Sequence, residues 1–205
     1  MKKQLCIMIG LAALLATATQ ASQEQLTKSI EETRGETART SEQLKATLAA
    51  LNALTQQKKG DLHPAYKTYC EEVAKTQSAR DWTVTRIQSM DKNGNTYFQD
   101  WQGKVKEIAN ESLRKKSQKR LDTVKTSYDK VLASLTQAGE KFKPFLSDLS
   151  DIQKALATDV TAGGVKAIKS TVKSANWNYQ YVDKSINTAL KEMDKMAKSL
   201  STEAK

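Results

Sequence analysis

The sequence predicts an all-α fold: an elongated antiparallel helical bundle of coiled-coil character, built from about four long helices. Three observations predict it. Only two prolines and eight glycines occur in 205 residues and aromatic residues make up 6% of them, while Ala, Lys, Ser, Thr, Gln and Leu dominate, a composition poor for sheets and good for helices. Apolar or small residues recur at alternating spacings of three and four, as in helices packed along a shared seam. The runs are separated by breaks of only a few residues, so consecutive helices are expected to fold back on one another. With so few large apolar residues, the common core should be long and narrow.

The chain opens with a different pattern. Lys2 and Lys3 precede an apolar run from Leu5 to Ala16, and small residues follow, ending in Thr19-Gln20-Ala21. This is the order of a secretory signal, with cleavage expected after Ala21 and a cut after Ala18 as the alternative. The run is shorter than the ~20 residues that span a bilayer. Residues 1–21 are therefore assigned to the leader and 22–205 to a single bundle domain. Cys6 stands at the start of the apolar run and not after it, so this is not a lipoprotein signal. Cys70 is then left alone in the mature chain, either shielded or paired between chains.

The first helical run extends from about Glu24 to Lys59, with seam positions Leu26, Ile30, Thr33, Thr37, Thr40, Leu44, Thr47, Leu51 and Leu54. Four of these nine are threonine, whose β-branch lowers helix propensity and whose hydroxyl prefers water or a carbonyl. That seam is expected to be half-wet, so Leu135→Asp in a tighter seam should harm the fold more than Thr40→Asp.

Gly60-Asp61 ends this run, and Pro64 suits the first turn of the next helix, where its missing N–H costs nothing. The second seam carries Tyr66, Tyr69, Val73, Thr76, Arg80, Thr83, Ile87, Met90, Tyr97 and Trp101, then Val105 and Ile108 after a small phase shift. Asn93-Gly94-Asn95 is a turn signal by itself. Because the phase continues from Met90 through Gly94 to Tyr97, one helix with a local bend is expected there.

The third run, capped by Asn110 or Ser112, has the most regular seam: Leu121, Val124, Tyr128, Val131, Leu135, Ala138, Phe142, Phe145, Leu149, Ile152 and Leu156. Pro144 falls inside it, and the intact phase argues for a kink over a break. Gly163-Gly164 supplies the last break. The final seam is Val165, Ile168, Val172, Ala175, Tyr179, Val182, Ile186, Ala189, Met193, Met196 and Leu200.

The middle of the chain also resembles a known family. Gly60-Asp61-Leu62 with Tyr66 and Tyr69, Ser112-Leu113-Arg114-Lys115, Lys119-Arg120-Leu121, Tyr128 and Lys143-Pro144-Phe145-Leu146 occur in the order of the bacterial family catalogued as domain of unknown function 2959. The resemblance implies exported, often envelope-attached helical proteins with no assigned catalytic residues, many of them lipoproteins. This sequence departs from that in lacking a cysteine after the apolar run.

Charge and chemistry narrow the function classes. The formal net charge is +10; without Lys2 and Lys3, 31 bases face 23 acids, leaving +8. For an exported protein this points away from nucleic acid and toward anionic envelope surfaces or acidic proteins, the alternative being that the positive balance merely aids solubility. The one histidine, His63, lies beside Pro64 in an expected turn with no base–nucleophile pattern around it. One Cys and one His in the mature chain do not make a zinc site. Asp91, Asn93 and Asn95 mimic the start of a calcium loop, but Thr96 and Gln102 occupy the positions that need Gly and Glu. No cofactor is expected.

Two surfaces remain as candidate sites. Between Lys104 and Lys130 stand nine bases and four acids. Extending the third seam backwards reaches Ser117 and Arg114, which puts Arg114 on the packed side and leaves Lys115, Lys116, Lys119 and Arg120 as an exposed basic face. That face reads either as an anion-binding surface or as a solvated face laced with ion pairs. Trp177 and Tyr181, one turn apart, form a second apolar stripe on the last helix. It is expected to pack against a third helix, the alternative being an exposed patch for a partner or a lipid headgroup layer. The leading expectation is a non-enzymatic periplasmic structural or interaction protein that binds a partner protein or itself. The alternative is a peripheral binder of lipid headgroups or cell-wall glycan.

Overall fold

The structure is a computed structural model, which describes residues 2–57 and 59–201, and side chains over 20–57 and 59–200. The leader expected over residues 1–21 lies, up to residue 19, outside the described side chains. All regular structure among the described residues is helical: α1 Lys2–Gln56, α2 His63–Glu107, α3 Glu111–Thr158, α4 Ala162–Ala167 and α5 Lys169–Ser201. The helices pack as an all-α bundle, with the fourth run divided into the short α4 and the long α5.

The breaks follow from local chemistry. Gly60 has φ 88, a left-handed conformation that only glycine adopts without strain. Just beyond it, the Asp61 carboxylate accepts the His63 N–H at 3.0 Å, and Pro64 stands in the first turn of α2. Asn110 caps α3 by accepting the Leu113 N–H on its side-chain oxygen at 3.0 Å. The last break differs from expectation. It falls at 159–161, not at the glycine pair, because Thr161 caps α4 by accepting the N–H groups of Gly163 and Gly164. Gly164 is required there, since a Cβ would run into the backbone carbonyl of Asp159.

The chain forms two compact units. In the unit made of Arg34–Thr85 and Ala133–Lys191, neighbouring helices run antiparallel. Thr40 meets Thr83 and Thr47 meets Thr76 between α1 and α2. The Tyr66 and Tyr69 hydroxyls donate to the carbonyls of Gln153 and Leu149 on α3. Phe145 meets Tyr179 between α3 and α5. Leu44, Leu51, Tyr69, Val73, Phe145, Leu149, Ile152, Leu156 and Val182 are buried in its core.

In the unit made of Met1–Thr33, Arg86–Leu132 and Glu192–Lys205, the buried residues include Leu26, Ile30, Met90, Tyr97, Leu121, Val124, Tyr128, Met193 and Met196. Here α2 and α3 are tied by the Tyr128 hydroxyl, which donates to the Met90 carbonyl at 2.9 Å. α1 and α5 are tied by the Gln23 amide, which donates to the Leu200 carbonyl at 3.1 Å.

All eleven seam positions of α3 and all nine of α1 are buried. The half-wet threonine seam is thereby corrected. Thr33, Thr37, Thr40 and Thr47 are as buried as the leucines around them, and the hydroxyls of three of them find carbonyls on the facing helix. Thr47 donates to Glu72 at 3.0 Å, Thr40 to Ala79 at 3.3 Å and Thr33 to Arg86 at 3.2 Å. Donors and acceptors both step by seven residues, so the heptad that normally spaces apolar knobs here spaces hydroxyls.

Two further expectations are resolved. α2 runs unbroken through Asn93-Gly94-Asn95, and Gly94 is buried under Tyr128, whose ring and hydroxyl would overlap any Cβ at that position. α3 runs unbroken through Pro144. Proline frees the carbonyl of Glu140, and both residues are exposed, so water can satisfy it. Arg80, placed on the second seam by spacing, is exposed instead.

Candidate functional site

The basic face lies on the first turns of α3. Residues 111–116 are all exposed, so the seam does not extend back to Arg114, which is not on a packed side as expected. Lys115, Lys116, Lys119 and Arg120 are exposed as expected but differ in their surroundings. Lys115 pairs with Glu111 at 2.8 Å. Arg120 reaches the Ser199 carbonyl at 3.4 Å, in the last turn of α5, where a cation meets unpaired carbonyls and the negative helix end. Among the described residues, Lys116 and Lys119 form no ion pair. Of the four, Arg120 therefore tethers α5, and Lys116 and Lys119 are the cations most available to an outside anion.

The aromatic stripe of α5 does not pack against a third helix. Trp177 is 60% and Tyr181 43% exposed, and their rings meet edge to face with centroids 5.4 Å apart. The reason lies in the helical wheel. Tyr179, which meets Phe145 of α3, and Val182, buried in the common core, already fill the seam, leaving the 177/181 edge outside it. Lys141 of α3 places its ammonium 5.9 Å from the Tyr181 ring centroid, a cation–π arrangement. Spacing along α5 could not reveal this lysine. A further exposed tryptophan, Trp82 at 61%, was legible only as an off-seam residue beside Arg80.

His63 lies in the unit made of Arg34–Thr85 and Ala133–Lys191, where residues 57, 59–63 and 160–162 line an open cavity of about 250 Å³. Its Nδ1 is 2.7 Å from Asp61 Oδ1, with both side chains mostly exposed. Hydrogen bonds from the His63 backbone N–H and then its ring hold the Asp61 carboxyl below its usual range. The pair closes the α1–α2 turn. Asp91, Asn93 and Asn95 stand on unbroken helix, not on a loop that could wrap a cation. Among the described residues no cluster of three His, Cys, Asp or Glu is placed to hold a metal. Cys70 is half-buried against Tyr66. Burial and then hydrogen bonding to Cys70 push the Tyr66 phenol up to about 12.

Among known proteins, one family model matches the chain, over residues 16–200; its description is Protein of unknown function (DUF2959). No curated protein matches it.

Proposed function

We propose that this chain, which belongs to the DUF2959 family of proteins of unknown function, is a non-enzymatic interaction protein acting through the exposed faces of its helices. On this reading it is exported, is cleaved after Ala21 and works in the periplasm as a protein that binds a partner or itself. The observation that carries the reading is the Trp177–Tyr181 pair, two large aromatic side chains held against each other on the outside of a helix whose inner seam is already full. Contiguous exposed aromatic surface on a soluble domain marks a contact site more often than chance.

The test is site-specific photo-crosslinking in the native cell, with the reactive side chain placed at 177, at 181 and at the exposed position 67 on α2. Protein adducts at 177 and 181, and none at 67, are expected. An absence of adducts at every position would overturn the reading, and an intact Met1 in the mature protein by mass spectrometry would overturn the export step.

A second reading rests on a separate observation, the unpaired Lys116 and Lys119 beside Leu113, which is itself exposed. These would bind an anionic envelope surface, each cation contributing ~1 kcal/mol near the surface and less as salt rises. Lys116→Glu with Lys119→Glu should abolish co-sedimentation with anionic vesicles and cell-wall sacculi if this reading holds. Arg120 is left unchanged in that test because it holds the end of α5.

A further inference from the structure

We infer that the outer face of α5 docks an acidic helical segment of a partner protein, an inference that rests on the reading of the chain as a protein-contact module. Trp177 and Tyr181 stand at the centre of this face. At 100° per residue, Lys173, Lys184 and Lys191 fall on the same side as the two rings, and all three are exposed. Lys141 of α3 adds a fourth cation against Tyr181. From 169 to 191 the sequence has four lysines and one acid, Asp183, which is off this face, half-buried and engaged by Asn187.

This face differs from the stretches where a lysine is neutralised by an acid three or four residues away, as in Lys45–Glu42, Lys75–Glu72, Lys125–Asp129 and Lys143–Glu140. It differs from Lys116 and Lys119 in placing its cations around two exposed aromatic rings. Among the described residues, Lys173, Lys184 and Lys191 have no such pair. A surface that sets unpaired cations around an aromatic centre is complementary to one that brings carboxylates around apolar side chains.

Two features choose the occupant. The apolar area ends within one turn, since Ser170, Gln180 and Thr188 on or beside the same face are polar and exposed. A helix lying in a membrane interface needs an apolar stripe along its length, whereas a compact aromatic centre inside a polar rim is the pattern of a protein–protein hot spot. Lys173 and Lys184 are separated by eleven positions, about 16 Å along the helix axis. A second helix alongside α5 meets both with carboxylates eleven positions apart and keeps its apolar residues between them, over Trp177 and Tyr181.

The test uses the full mature chain with Trp82→Phe and Trp101→Phe, so that Trp177 is the fluorescent reporter. The probe is a synthetic helical peptide of about six turns, with leucines at its centre and glutamates flanking them at the spacing just given. The same peptide with two central prolines and vesicles of phosphatidylglycerol are the comparisons. The helical peptide should shift Trp177 emission to the blue and saturate. Binding should weaken by about tenfold or more with the proline peptide and with Lys173→Glu plus Lys184→Glu. Circular dichroism confirms that the charge-reversed variant is folded. No Trp177 shift up to about 1 mM helical peptide, equal binding of the proline peptide, indifference to charge reversal, or a shift with vesicles alone would each overturn the inference. If the peptide fails while position 177 still cross-links to protein in cells, the acidic helix is wrong and the protein-contact reading stands.

Discussion

Gly94→Ala opposes two physical effects at one site, and the structure gives the sign. Gly94 lies inside α2 with ordinary helical backbone, since Gly60 alone among the described residues has positive φ. By propensity, alanine should stabilise such a position by ~1 kcal/mol. The neighbourhood reverses that. A Cβ at 94 would overlap the ring and hydroxyl of Tyr128, which is buried, packed at a tilt against Phe98 with centroids 5.4 Å apart and bonded to the Met90 carbonyl. Overpacking a filled core costs ~1–3 kcal/mol, and a displaced tyrosine forfeits a further ~1 kcal/mol of hydrogen bonding. Net destabilisation of about 1–3 kcal/mol is expected. Gly35→Ala and Gly139→Ala, where nothing approaches the new methyl, should instead gain ~0.5–1 kcal/mol. Urea denaturation followed by circular dichroism measures all three, and adding Tyr128→Leu to Gly94→Ala should recover most of the methyl's penalty in a double-mutant cycle. A Gly94→Ala midpoint that rises with the two controls would refute the close-packing account.

Three other outcomes follow from the same contacts. Thr47→Val should cost ~1–3 kcal/mol because it strands the Thr76 hydroxyl, 2.7 Å away and fully buried, whereas Thr47→Val with Thr76→Val removes both partners and should be close to neutral in urea denaturation. Thr40 and Leu135 are each 4% exposed, so Thr40→Asp should now destabilise about as much as Leu135→Asp, each by several kcal/mol in the same assay; a mild Thr40→Asp would restore the half-wet seam. Burial raises the phenols of Tyr66, Tyr69 and Tyr128. The folded state therefore holds these protons more tightly than the unfolded chain, so their contribution is whole below pH ~10. It is lost as pH rises from there through about 12 for Tyr66; ultraviolet difference titration should show late tyrosine ionisation, and normal ionisation of all six tyrosines would refute the burial.

The helices were legible because period is a property of the sequence alone. All eleven positions of the α3 seam and all nine of the α1 seam are buried where the spacing put them. What spacing could not show is what each position faces. Asn93-Gly94-Asn95 carries the local signal of a turn, yet the helix continues because Tyr128, thirty-four residues later, needs the missing side chain. Gly163-Gly164 reads as a break, yet it begins α4 because Thr161 supplies the cap. The basic face was found by residue type, but only the fold distinguishes Arg120, bonded to the end of α5, from Lys116 and Lys119. Likewise the 177/181 stripe was visible as periodicity, while its exposure depends on whether another helix arrives to cover it.

The threonine seam carries this reasoning one step further. A hydroxyl in a coiled-coil seam looks like a defect if the facing helix is imagined as a row of side chains. The facing helix also offers carbonyls, and at a seven-residue step they return to the same face as reliably as side chains do. Thr33, Thr40 and Thr47 use Arg86, Ala79 and Glu72 in that way. Leucines at these positions would pack as well in several registers, but Thr40 and Thr47 also meet the hydroxyls of Thr83 and Thr76 at 2.9 and 2.7 Å, directional contacts that a slip of less than a heptad breaks. Thr33 and Thr47 meanwhile keep their bonds to the Ser29 and Gln43 carbonyls of their own helix. The weak-looking seam is thus the one that fixes how α1 and α2 align, and the apolar seams of α3 and α5 supply the burial that such alignment requires.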